Sequence, residues 1–188
     1  EDMKRTGFAY DERFLLHDTG RYHPEASERL EAIVGWMKTS GMMGKLTPIE
    51  VTRANQRWIE AVHDIHYIMR FDEACSSGIS EFEHPDNAIC RDTCEAAFLA
   101  VGAVLNAIDA VMTGTVDNAF CAVRPPGHHA EVDRAMGFCY FNNIAIGARY
   151  LQKQHGVGRV GIIDFDVHHG NGTQHIFEQD PTVFYYSI

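Results

Sequence analysis

The sequence predicts an α/β fold, a three-layer arrangement in which a parallel sheet carries helices on both faces. Three observations point there. Strand-like apolar runs fall at residues 6–10, 118–123, 159–167 and 182–187, helical patterns occupy the stretches between them, and the runs are apolar throughout, as strands buried on both faces must be. In such sheets, sites form in the crevice beyond the carboxyl ends of the strands.

Taken in order, the run at 6–10 is the first strand. A helix is expected next with Pro24 in its first turn, where a missing N–H does no harm; it runs towards Trp36 and Met37, with Gly41 just beyond. Further helical material lies at 52–71, broken near His63 and Asp64, and 75–87 reads as a long surface loop. Another helix begins around Asp92 and repeats apolar residues at Val101, Val104, Leu105, Ile108, Val111 and Met112 until Gly114 stops it. After the strand at 118–123, a helix opens at Asn142 or Asn143, both suitable N-caps, and closes at Gly156.

A chain of 188 residues that is 45% hydrophobic and 22% charged has the composition of one globular domain with a sizeable core. No stretch is expected to reach the length of a membrane span, and a cytoplasmic setting, or a nuclear one in a eukaryote, is the default expectation. Five cysteines without a Cys-x-x-Cys pair argue against a disulfide scaffold or a thiolate zinc site, and Cys121 and Cys139 read as buried small hydrophobes. The net charge of −10 disfavours nucleic acid as a partner and suits a cationic one, such as a lysine-rich tail or a polyamine.

Two polar clusters carry the chemistry. In Ile163-Asp164-Phe165-Asp166-Val167-His168-His169-Gly170, strand alternation would turn Asp164, Asp166 and His168 to one face and Ile163, Phe165 and Val167 to a packed face. Neighbouring carboxylates at a strand end call for a neutralising partner, and a divalent metal serves. The second cluster, Arg124-Pro125-Pro126-Gly127-His128-His129, follows the strand ending at Val123. Its prolines and glycine fix the backbone, so two adjacent imidazoles can be aimed as a proton-handling pair, with Asp164 and Asn171 available to orient them. A lone His-His or Asp-x-Asp is more often a solvated turn, but here each cluster follows its own strand. Between them, Gly137 allows close backbone approach and Phe138 could wall a narrow apolar passage, while Tyr140 and Phe141 read as core.

These strings, together with Gly137-Phe138-Cys139-Tyr140-Phe141-Asn142-Asn143, with His23-Pro24-Glu25 and Arg29 upstream, and with Asn171-Gly172 after Gly170, resemble the zinc-dependent histone deacetylases. The double proline and Asn171 are similar to the class II branch and its bacterial relatives, which include histone deacetylase-like amidohydrolases and acetylpolyamine amidohydrolases. The resemblance implies an arginase/deacetylase-like fold. It implies that Asp166 and His168 ligate a catalytic zinc, that His128 pairs with Asp164, and that His129, oriented by Asn171, is general base and acid. Gly137 and Phe138 match substrate contacts, and Asp86 matches a rim aspartate that holds the substrate backbone. Asp164, Asp166, His168, Ser187 and Ile188 match one monovalent-cation site, usually potassium, and Phe177, Asp180 and Val183 match part of another.

By this resemblance the expected activity is zinc-dependent removal of an acetyl or acyl group from lysine side chains. The alternatives are hydrolysis of acetylated polyamines, which needs the same motifs, and a non-catalytic acyl-lysine-binding module. Ferrous iron or cobalt would also suit Asp and His ligands. In the family, the third zinc ligand, the oxyanion tyrosine and a second channel aromatic come from sequence later than that matched here. Residues 1–188 are therefore expected to be the N-terminal portion of a single deacetylase domain, inactive by itself and a poor binder of zinc.

Overall fold

The structure is a computed structural model that describes residues 4–188. Three parallel strands form one sheet in the order β2-β1-β5: β1 (Thr6–Ala9) lies between β2 (Leu46–Ile49) and β5 (Asn118–Cys121). Thr6 sits opposite both Leu46 and Asn118, and Ala9 opposite Ile49 and Cys121. A second parallel pair joins β6 (Val160–Asp164) to β7 (Val183–Ser187), with Val160 opposite Val183 and Asp164 opposite Ser187. The parallel strands and their helices bear out the α/β class, although among the described residues the two sheets share no ladder.

The helices are α1 (Glu28–Thr39), α2 (Gln56–Ile59), α3 (Ile65–Ser77), α4 (Thr93–Met112), α5 (Asn143–His155) and α6 (Asn171–Phe177). Helix α4 is the centre of the molecule. Leu99, Ala100 and Ala103 pack with Phe8, Phe14, Leu30 and Val34 in one core, while Phe98, Val101 and Leu105 pack with Phe71, Phe141 and Ile146 in another. At 20 residues, and apolar, α4 is long enough to cross a membrane by length and composition, contrary to expectation, yet most of it is buried among other elements. Its apolarity on both sides follows from serving two cores at once.

Several expectations need correcting. Helix α1 begins at Glu28 rather than at Pro24, because the preceding residues are drawn to the site: Glu25 into a buried ion pair with Arg124, His23 onto the ring of Phe138. Strand β2 was not expected; it contains Pro48, which is tolerated because β2 is an edge strand. The segment 75–87 is not one loop: α3 continues to Ser77, Gly78 closes it at φ 81°, and β3 (Glu81–Phe82) pairs antiparallel with β4 (His84–Ala88). The break near His63 is real, and Asp64 caps α3 by accepting from His66 N and Tyr67 N. Asn142 caps α5 by accepting from Ala145 N.

The largest departure concerns β6, which stops at Asp164 rather than running on to Val167. Asp164 Oδ1 accepts from Asp166 N at 3.2 Å and Asp166 Oδ1 from His168 N at 2.8 Å, so side chains take the backbone donors that a ladder would use. Ile163, Phe165 and Val167 are 67%, 83% and 89% exposed, so the face expected to be packed is open in this chain. All five cysteines are free; Cys139 is fully buried, and burial pushes its thiol up to about 12, whereas Cys121 is only half-buried.

Candidate active site

Both polar clusters lie where strands end, and the first turn of α6 joins them. Thr173 N donates to His128 O at 3.1 Å, and Gly172 makes that approach possible, since a Cβ there would stand 2.2 Å from Ala130 O. The His-His turn is anchored below by Arg124. Its guanidinium holds Glu25 with two bonds, Nε to Oε1 at 2.6 Å and Nη2 to Oε2 at 2.8 Å, and donates to Phe14 O at 3.1 Å. Both side chains are buried. Burial opposes the Glu25 charge, but His17 and Arg124 together hold its carboxyl at about 2.

Each imidazole has an acceptor. His128 Nδ1 lies 2.9 Å from Asp164 Oδ2, and Tyr185 donates its hydroxyl to the same oxygen at 3.0 Å. His129 Nδ1 lies 2.6 Å from Asn171 Oδ1. The two rings are 4.1 Å apart between centroids. A carboxylate can only accept, so His128 carries its proton on Nδ1 when neutral. Burial lowers the pKa of His129, and the neighbouring His128 and His168 lower it further against the hydrogen bond to Asn171. For Asp164, burial is outweighed by the hydrogen bonds from His128, Asp166 N and Tyr185, which hold the carboxyl below its ordinary range.

Asp166 and His168 stand next to this pair, with the His129 and His168 ring centroids 6.0 Å apart. Asp166 Oδ1 and His168 Nδ1 converge at 3.1 Å. Two ligands about 2.0–2.1 Å from one tetrahedral zinc would stand roughly 3.3 Å apart, so the two donors fit a shared cation. Among the described residues no third His, Cys, Asp or Glu completes a metal-binding group with them. Of the other expected cation contacts, Ser187 Oγ is buried without a hydrogen-bond partner and Ile188 N donates to Asp164 O at 3.1 Å. Phe177, Asp180 and Val183 share one turn, whose carbonyls at Phe177 and Asp180 accept from Asp180 N and Val183 N, while the Asp180 carboxylate is committed to Arg149 and Thr182.

His129, Asp86, Glu83, Met136 and Gly137 line a cavity of about 520 Å³. Gly137 has φ 54°, and a Cβ there would meet His129 Cδ2 at 2.4 Å, so only glycine lets the chain pass the imidazole. Phe138 follows at φ 68°; its N–H donates to the buried Asn87 Oδ1 at 3.1 Å, and its ring stands edge-on to His23 at 4.7 Å. The Asp86 carboxylate is exposed and 3.2 Å from His84 Nδ1.

Four supporting residues escape sequence reasoning. Buried His63 donates from Nδ1 to Val132 O and accepts Asn142 N at Nε2, at 3.3 and 2.9 Å, and burial lowers its pKa to about 4. Tyr67 donates to Tyr140 O at 2.6 Å, Tyr185 donates to Asp164, and Glu131 accepts from Asn171. Only the helix break near His63 hinted at any of them.

Residues 23–188 match the histone deacetylase domain. The chain is 35% identical to histone deacetylase 5 of Arabidopsis thaliana over 99% of its own length and 30% of that protein. It is 38% identical to polyamine deacetylase HDAC10 of Rattus norvegicus, over 92% of this chain and 30% of that one. With a histone deacetylase-like amidohydrolase of Pseudomonas aeruginosa it shares 35% identity over 98% of its length and 53% of the relative. The crystal structure of the HDA15 HD domain superposes with a TM-score of 0.93 at 39% identity, covering 98% of this chain and 52% of that chain. The chain thus spans about half, or less, of the length of these relatives. With residues 23–188, most of its length, matching that domain, the chain belongs to the histone deacetylase family.

Proposed function

We propose that this chain contributes the histidine pair, two metal ligands and one channel wall to a zinc-dependent amidohydrolase that removes acetyl or acyl groups from lysine side chains. The supporting observation is the pair of imidazoles, 4.1 Å apart and each held at Nδ1 by its own acceptor, standing beside the Asp166–His168 pair, with His129 and His168 6.0 Å apart between ring centroids. Zinc bound by Asp166 and His168 would polarise the amide carbonyl and acidify a water molecule. His129 has its Nδ1 tied to Asn171, which leaves Nε2 to take the proton of the attacking water and later return it to the leaving amine. His128, whose Nδ1–H is held by the Asp164 carboxylate, would offer its Nε2 lone pair as a second proton acceptor. Phe138 and Gly137 would hold the acyl-lysine stem, and Asp86 the substrate backbone at the rim. The net charge of −10 favours approach of a cationic substrate. Potassium at Asp164, Ser187 and Ile188 would give the unpartnered Ser187 Oγ a contact.

An acetylated polyamine is the second candidate substrate, favoured by the 38% identity to a protein named polyamine deacetylase. Parallel hydrolysis assays on a protein carrying the whole deacetylase domain, with an acetyl-lysine peptide and an acetylated polyamine, each with and without chelator, separate the readings. Chelator-insensitive turnover, or turnover that survives His129→Ala unchanged, would sink the proposal.

A further inference from the structure

The carboxylate of Glu131 is buried, two residues past the histidine pair, and faces the far side of Asn171. Asn171 Nδ2 donates to Glu131 Oε1 at 2.6 Å while Asn171 Oδ1 faces His129 Nδ1 at 2.6 Å. His175 Nδ1 approaches the same carboxylate at 2.8 and 3.0 Å, and Glu131 N donates to Arg134 O at 2.9 Å. An asparagine amide alone is ambiguous, since either end can face a ring nitrogen. A carboxylate is not ambiguous, because an ionised Glu131 can only accept, so the NH2 end of Asn171 must turn towards it and the oxygen towards His129. An oxygen at that position accepts from Nδ1–H and leaves Nε2 as the unprotonated nitrogen of the neutral ring.

We infer that Glu131 is a positioning residue that selects the amide orientation of Asn171 and thereby the Nδ1–H tautomer of His129. The reversed amide would donate to Nδ1 and move the ring proton to Nε2, which removes the lone pair a base needs on the side away from Asn171. The catalytic meaning of this selection rests on the reading of His129 as the base; the selection itself does not.

The test uses the full chain labelled with 15N-histidine, with ring-nitrogen NMR at a pH where His129 is neutral. In the parent protein His129 is expected almost wholly as the Nδ1–H tautomer. Glu131→Gln keeps the shape but can both donate and accept, so it permits either Asn171 orientation; removing one hydrogen bond to a charged group should lower the tautomer ratio about tenfold or more. Adding Asn171→Asp to Glu131→Gln restores an acceptor-only neighbour for His129 and should return the ratio to the parent value. A Glu131 that served only to hold the loop together would lower stability without moving the ratio, and Asn171→Asp would rescue nothing. An unchanged ratio in Glu131→Gln, or failure of the double variant to restore it, overturns the inference. If the ratio responds as expected while a protein carrying the whole deacetylase domain shows no hydrolase activity, that would instead count against the proposed function and leave this inference standing.

Discussion

Glu25→Gln should destabilise the chain by about 3–5 kcal/mol, the cost of leaving one member of a buried ion pair without its partner. Arg124 and Glu25 are 2% and 1% exposed, and the pair is bidentate, so neither solvent nor a neighbouring side chain can replace the lost carboxylate. The titration behaviour of Glu25 leads to a similar figure. Holding its carboxyl at about 2 rather than 4.5 corresponds to roughly 3 kcal/mol at about 1.4 kcal/mol per tenfold. A depressed carboxyl contributes its stability above the unfolded value, so this contribution is complete above pH 4.5 and drains away as pH falls towards about 2. Urea unfolding of parent and variant at a series of pH values measures both effects. The free-energy difference between them should be largest at neutral pH and shrink steadily through that acid window. A neutral-pH difference below about 1 kcal/mol, typical of an exposed pair, would refute the reasoning. So would a difference that does not change between pH 4.5 and about 2.

Other perturbations have equally definite outcomes. In a protein carrying the whole deacetylase domain, removing the proposed base with His129→Ala should lower turnover by about 10²–10⁴-fold with little change in fold, as read by steady-state kinetics and circular dichroism. Gly137→Ala would drive a methyl into the His129 ring, so a loss of about 1–3 kcal/mol in thermal or urea unfolding is expected, together with weakened binding of acyl-lysine ligands. Tyr185→Phe removes a hydroxyl that bridges Asp164 and Gly170 O, and should cost about 1–2 kcal/mol in urea unfolding. Titration calorimetry on this chain should find only weak zinc binding, because Asp166 and His168 are two donors where catalytic zinc uses three.

The two clusters that meet at the candidate site were legible because their spacing is local. His128 and His129 sit on a turn stiffened by Pro125 and Pro126, and the Asp166–His168 convergence is made within three residues. Helix α4 was readable from its apolar repeat and its stop at Gly114, since both are short-range properties. What could not be read depends on partners distant in sequence. Pro24 looks like a helix start until Glu25 is seen to be claimed by Arg124, 99 residues away. The alternation through Phe165 and Val167 suggests a strand, but Asp164, already held by His128 and Tyr185, takes the Asp166 N–H with its own carboxylate. Glu131 and His63 are ordinary polar residues in sequence, and only the packed loop from Ala130 to Asn142 gives them their tasks.

The central claim, that the paired imidazoles face a cation gripped by Asp166 and His168, is tested most directly by anomalous diffraction from zinc-soaked crystals. A peak about 2.0–2.2 Å from Asp166 Oδ1 and His168 Nδ1, lost in Asp166→Asn, is the predicted result. A peak held by other residues, or one that persists unchanged in that variant, would contradict it.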